Sequence, residues 1–198
     1  MKPFSEACDR NKDPILSVLK PLLADRKNLL EIGSGTGQHA VYFSEALPHI
    51  QWQTSDRTEN HPDINAWIDD SSGENVERPI ALDVLTDVWP VEQFDAIYSA
   101  NTAHIMPWIA VEALFKGVGQ QLSNDGIFVL YGPFNYLGEF SSKSNRKFED
   151  WLKSVDISRG IRDFEAINQL AEDAGMSLLE DLEMPANNRI LVWIKNSI

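Results

Sequence analysis

Gly33, Gly35 and Gly37 stand at alternate positions directly behind the apolar run "NLLEI", and the segment "GQHAVYFSEAL" follows with Ala40, Val41, Phe43, Ser44 and Leu47 at helical spacing. A strand that ends on a bare glycine turn and passes at once into a helix opens a strand-helix-strand unit. Such a unit makes the next strand parallel and commits the chain to a sheet with helices on its faces.

The rest of the sequence keeps that rhythm. "IQWQTSD" and "RPIALDV" read as strands, separated by the helical "DINAWIDD" and the turn-like "SSGEN"; "FDAIYSA" is a further strand, "PWIAVEALFKGVGQQL" a helix, and "GIFVLYG" a strand after the turn "SNDG". Upstream, Asp13 reads as a helix cap with Pro14 at the first helical position, and Ile15, Leu16, Leu19, Leu22 and Leu23 form an apolar stripe that is kinked or ended near Pro21. At the other end, "SLLEDLEM" and "RILVWIKN" are joined only by "PANN". A link that short permits an antiparallel hairpin and no parallel crossover, so the last strand is expected to run against the rest. Residues 135–160 are unusually polar and read as an insertion of mixed loop and helix after the fifth strand. With 198 residues, a single domain is expected.

Three nucleotide-binding patterns compete for the glycine turn. A phosphate-binding P-loop needs Gly-Lys, a pair this sequence lacks. The dinucleotide fingerprint puts its third glycine where Gln38 stands, so an NAD enzyme is off-pattern. The spacing G-x-G-x-G, with Glu31 before it and Asp56 at the end of the next strand, resembles the class I S-adenosylmethionine-dependent methyltransferases.

That resemblance implies a single-domain α/β fold, a Rossmann-like sandwich with a mostly parallel seven-stranded sheet and an antiparallel C-terminal hairpin strand. It implies S-adenosylmethionine as cofactor and S-adenosylhomocysteine as product. Gly33, Ser34, Gly35 and Gly37 would let the backbone approach the ligand, and Asp56 would accept hydrogen bonds from the ribose hydroxyls. Glu31 would bring negative charge towards the methionine ammonium. Asp83 and Val84 in "ALDV" would hold and flank the adenine, unless Asp83 is an ordinary turn cap. Asn101 in "SANTAHI" would face the methyl donor, or be a plain loop residue.

A narrower resemblance covers most of the chain. "RNKDPIL", "EIGSGTGQHAVYF", "WQTSD", "LDV" with Trp89-Pro90, "ANTAHIMPW", "YGPF", "GIRDFEAI" and "MPANN" are similar, in order, to the family that includes animal methyltransferase-like protein 26. Arg10, Asn11 and Lys12 precede the expected first helix, where residues 1–25 could cover the cleft and exclude water. His104 follows the fourth strand and could act as base or hydrogen-bond partner, or as a structural donor. Tyr131, Phe134 and Asn135 end the fifth strand on the same rim and could line an acceptor pocket or simply pack. Asn187 and Asn188 suit a hairpin turn. The histidines show no metal-ligand spacing, so no metal is expected.

Composition bounds the partners. The formal net charge of −13 and the lack of a basic block argue against nucleic acid. Cys8 is the only cysteine, so no internal disulfide or cysteine zinc cluster can form. The polar "MKPFSEACDRNKDPIL" has no signal-peptide core and no run of about 18 apolar residues occurs, so a cytoplasmic setting without membrane spans is expected. Little chain is left over outside the cofactor fold, which favours a small-molecule acceptor. A catalytically silent binder with the same fold stays open as an alternative, and the oligomeric state is not legible.

Overall fold

A computed structural model describes residues 2–197. In chain order the elements are α1 (Glu6–Leu22), β1 (Asn28–Ile32), α2 (Gln38–Ala46), β2 (Gln51–Asp56), α3 (His61–Asp69), β3 (Val76–Ala81), β4 (Phe94–Ala100), α4 (Trp108–Gln121), β5 (Leu122–Gly132), β6 (Phe134–Asn135), α5 (Lys143–Val155), β7 (Arg162–Asp163), α6 (Phe164–Asp173), β8 (Met176–Met184) and β9 (Asn188–Lys195). The main sheet has seven strands in the order β3-β2-β1-β4-β5-β9-β8, and β6 pairs with β7 in a separate two-residue ladder. β1 to β5 are mutually parallel, β9 runs antiparallel to both β5 and β8, and the expected hairpin is present.

The period-two alternation of the strands divides the core. Ala96 and Tyr98 of β4, Ile127 and Val129 of β5 and Ile190 and Val192 of β9 point to one face, under α1 and α2. Ile97, Phe128, Leu130, Leu191 and Trp193 point to the other, where Phe115 of α4 and Ile167 of α6 cover them. Both faces are buried, which is why these strands read as continuous apolar runs.

The first helix starts earlier than the sequence suggests. Ser5 is its cap, accepting from Cys8 N at 3.3 Å, and Pro14 lies inside the helix with Pro21 near its end. An internal proline costs about 3 kcal/mol, whereas burying Ile15, Leu16 and Leu19 returns roughly 1.5–3 kcal/mol each. Burial wins, and Arg10 and Asn11 therefore lie within α1 instead of preceding it.

Two boundaries also shift. β3 begins at Val76 and ends at Ala81, so Asp83 belongs to the following loop and not to the strand. Leu122 pairs with Phe94 and Ile127 with Ala96, so residues 123–126 bulge from the ladder where a turn is predicted, with Asp125 at φ 61°. Residues 135–160 start at the end of β6, carry α5 and lead towards β7.

Candidate active site

The strand order reverses between β1 and β4, and the loops after these two strands meet at the carboxyl end of the sheet. Ligands in open α/β sheets bind at such a switch point. The turn after β1 is stitched to β2: Gly33 N and Ser34 N both donate to Ser55 O at 3.0 Å. Ser34 Oγ donates to Glu31 Oε2 at 2.9 Å and accepts from Ser55 N at 3.2 Å, so this hydroxyl faces the protein interior and not the ligand side.

All three turn glycines have positive φ, at 74°, 59° and 87°. They differ in what a Cβ would meet. At Gly33 it would lie 2.5 Å from Thr102 Cγ2 and at Gly37 2.9 Å from Ile64 Cα, whereas at Gly35 it would meet nothing within 4 Å. Gly33 and Gly37 are bare because the β4 loop and α3 press on them, and of the three Gly35 alone faces open space.

Asp56 stands beside that opening. Its Oδ2 accepts from Gly35 N at 2.7 Å, and its Oδ1 accepts from Arg57 N and Asn60 Nδ2, each at 2.8 Å. The three donors fix the carboxylate and leave Oδ2 a further lone pair for an incoming hydroxyl. Across the loop, Asp83 Oδ1 accepts from Leu85 N at 3.0 Å, the turn cap weighed from the sequence, while Val84 packs partly against the core. Asn101 adopts φ 59° and donates its N–H to Tyr131 O at 2.9 Å, tying the β4 loop to β5.

Glu31 lies deeper than expected. Its Oε2 accepts from Trp52 Nε1 at 3.1 Å as well as from Ser34, and burial raises its pKa to about 7 despite those two donors. A carboxyl so placed supports the turn from below instead of reaching towards a ligand.

α1 roofs this end of the sheet. Asn11 Oδ1 lies 2.8 Å from His39 Nε2 in α2, and the Asn11 amide also borders the Tyr131 hydroxyl, which the Asn188 amide meets from β9. Segments "RNK", "YGPF" and "MPANN" thus converge on one phenol. Arg10 does not join them; it pairs with Glu6 in solvent at 3.2 Å. Ahead of α1, Gln38 Nε2 donates to Ser5 O at 3.3 Å and Ser5 N donates to Gln38 Oε1, while Trp67 Nε1 donates to Pro3 O at 2.7 Å. Residues 3–5 therefore run as a strap from α3 to the start of α2.

On the far side of the switch point, His104 is 6% exposed, with its ring edge-on to Phe148 at 5.2 Å. Burial, then the charges of Arg162 and Arg159, lower its pKa to about 4, so the ring is neutral at neutral pH. Phe134, predicted as pocket lining, is 1% exposed and packs into the core, because β6 turns it inward. Asn135 is also buried, and its Oδ1 has no hydrogen-bond partner. A cleft of about 840 Å3 between Asn28, Gln51, Glu77 and Phe94 holds none of the residues predicted from sequence.

Residues 2–195 match the family described as a protein of unknown function, DUF938. The chain belongs to that family. Among solved structures, this DUF938 protein is similar to an O-methyltransferase family protein from Burkholderia thailandensis, with TM-score 0.84 and 12% identity over 97% of this chain and 58% of that one. It is similar to the S-adenosylmethionine-dependent methyltransferase SibL, with TM-score 0.81 and 16% identity over 96% and 56%. It is also similar to human N-acetylserotonin methyltransferase in complex with SAM, with TM-score 0.81 and 15% identity over 97% and 53%. The DUF938 chain spans a little over half the length of these neighbours. Their likeness establishes the Rossmann-like methyltransferase fold expected from the sequence.

Sequence reasoning missed several DUF938 residues in or beneath this region: Gln38, His39, Trp67 and Tyr98, with Trp52 reaching Glu31 from the start of β2. Gln38 carried a signal, since it is the residue that breaks the dinucleotide fingerprint, and its amide ties the strap. Tyr98 carried none, because its place beneath α1 depends on pairing Glu31 with Tyr98 across β1 and β4.

Proposed function

We propose that this DUF938 protein is an S-adenosylmethionine-dependent methyltransferase acting on a small-molecule acceptor. The observation that carries the reading is the Gly35–Asp56 pair at the switch point, an open glycine whose N–H locks a carboxylate with a spare lone pair beside it. Such a cradle fits a ribose diol next to an amino-acid moiety. Asp56 would hold the ribose, the backbone at Gly35 would lie against the methionine part, and Asp83, Val84 and Asn101 would border the rest. When bound, the cofactor supplies an electrophilic sulfonium methyl. Solved neighbours described as complexes with SAM, with SAH and with the flavonoid apigenin support the choice of ligand and acceptor class.

The protein's own task is then alignment. Orientation supplies roughly 7–11 kcal/mol, against about 3–5 kcal/mol for a general base. With its pKa near 4, His104 is a weak base, and its role is to orient the acceptor through a neutral ring. α1 and the strap shield the cleft from water. The narrower likeness to the family of animal methyltransferase-like protein 26 rests on the sequence blocks, and a single cysteine suits a cytoplasmic setting.

Calorimetric titration with S-adenosylhomocysteine tests the reading. The unaltered protein should bind it, and Asp56→Ala should weaken binding by about 10- to 150-fold, the loss of one hydrogen bond to a charged group. Binding of NADH alone, or unchanged affinity in the variant, overturns it. Binding without transfer of labelled methyl to any component of a metabolite extract would favour the silent-binder alternative.

A further inference from the structure

The turn that carries Gly35 rests on a buried acid. Glu31 is 2% exposed, and its two donors, Ser34 Oγ at 2.9 Å and Trp52 Nε1 at 3.1 Å, both fall on Oε2. It joins none of the ion pairs among the described residues. A carboxylate taken out of water needs a cation or several donors, and this one has two neutral donors on a single oxygen. Burial therefore favours the protonated form, and the pKa of Glu31 stands at about 7.

The groups around Glu31 are neutral or acidic. The Asp56 carboxylate on β2 raises Glu31 further, and its other titratable neighbours are Tyr98 on β4 and Cys8 on α1, both raised by burial as well. The Tyr98 hydroxyl is buried without a hydrogen-bond partner, and the His39 ring, 6.5 Å from that of Tyr98, is kept neutral by burial, with a pKa of about 4. No cation among these neighbours offsets a charge on Glu31.

The same acid is coupled to the cradle above it. Glu31 holds Ser34, the residue before Gly35; Gly35 N donates to Asp56 Oδ2 at 2.7 Å; and the Asp56 charge is felt at Glu31. A charge brought to Gly35 and Asp56 therefore acts on Glu31 through a dry interior, where it is screened less than in water. S-adenosylmethionine and S-adenosylhomocysteine differ by one methyl group and by the positive charge of the sulfonium.

We propose that Glu31 is a proton switch beneath the glycine turn: binding of the cationic methyl donor expels its proton, so the site prefers donor over product more strongly as pH rises through neutrality. This inference rests on the methyltransferase reading above and deepens it. A positive ligand stabilises the carboxylate, so the bound state holds fewer protons than the free one, and affinity rises with pH until Glu31 is ionised without help. The product lacks the sulfonium charge and is linked to the proton more weakly.

Trp52 reports the switch directly, because its indole N–H donates to Glu31 Oε2. In the free protein its nuclear magnetic resonance signal should titrate near pH 7, and saturating S-adenosylmethionine should lower that midpoint by about one unit or more, S-adenosylhomocysteine by less. Calorimetry should then show affinity for S-adenosylmethionine rising about five- to tenfold between pH 6 and 8, and its ratio to that for S-adenosylhomocysteine rising with it. Glu31→Gln keeps an oxygen for both donors and should remove the titration and the pH dependence together. His61 also faces the cradle, its Nε2 3.0 Å from Asp56 O, and is intact in that variant. A pH dependence that survives in Glu31→Gln therefore belongs to His61 and overturns the proposal, as does a Trp52 midpoint that S-adenosylmethionine leaves unmoved or moves no further than the product does. Failure of both ligands to bind at any pH overturns the methyltransferase reading itself, whereas binding of both without proton linkage overturns this inference alone.

Discussion

The Gln38 amide holds both backbone groups of Ser5, accepting from its N–H and donating to its carbonyl at 3.3 Å. The residue that breaks the dinucleotide pattern is thereby the clasp between the strap ahead of α1 and the helix that follows the glycine turn. Gln38→Ala should lower stability by about 1–3 kcal/mol, two hydrogen bonds' worth, and speed amide exchange in residues 3–9. Urea unfolding and hydrogen exchange check this; unchanged exchange would show that the strap is held by Trp67 alone.

The three turn glycines should separate stability from binding. Each sits in the left-handed region, where a side chain costs about 1–2 kcal/mol. Gly37→Ala adds a clash with the α3 backbone and should be the most damaging, and Gly33→Ala meets Thr102, whose hydroxyl is tied to Ser99 at 2.7 Å. Gly35→Ala should stay within about 2 kcal/mol of the parent in urea and still lose S-adenosylhomocysteine in calorimetry.

Three buried groups set the acid-side stability. Glu31 is raised to about 7, so the native state holds its proton from about pH 4.5 to 7 while the unfolded chain does not, and that contribution fades as pH rises through this window. His39 and His104 are both lowered to about 4, so between about 4 and 6.5 the unfolded chain takes up protons that the native state refuses. Two histidines outweigh one carboxyl. Stability should rise with pH between about 4.5 and 6.5 with a slope near one net proton, and Glu31→Gln should steepen it, as read from urea midpoints across that range.

Tyr131→Phe removes the oxygen that the Asn11 and Asn188 amides meet. Losing the phenol's polar contacts should cost about 0.5–1.5 kcal/mol, and Asn11→Leu should cost less in that background than in the parent. A double-mutant cycle in urea measures the coupling, and strictly additive effects would deny it.

The layered sheet and its reversed last strand were legible because alternation and a four-residue link leave few topologies. The start of α1 was not, because Pro14 imitates a helix entrance and only the burial of Ile15, Leu16 and Leu19 outweighs it. At the site, position along the chain was readable and direction was not. Ser34, Glu31 and Phe134 lie where expected and turn inward, and Arg10 turns out to solvent, since a side chain's facing depends on partners distant in sequence. The convergence of Asn11, Tyr131 and Asn188 was hidden for the same reason.

β9 enters the sheet between β5 and β8 and carries Asn188 to the Tyr131 hydroxyl. A strand that is late in the chain is thus interior in the sheet, with neighbours on both edges. On a ribosome the glycine turn and Asp56 can take shape while this slot stands open, and the wall around Tyr131 closes only once β9 has emerged and slid into place. The residues that shape the Gly35–Asp56 corner are therefore all present in the chain well before those that complete the Tyr131 wall.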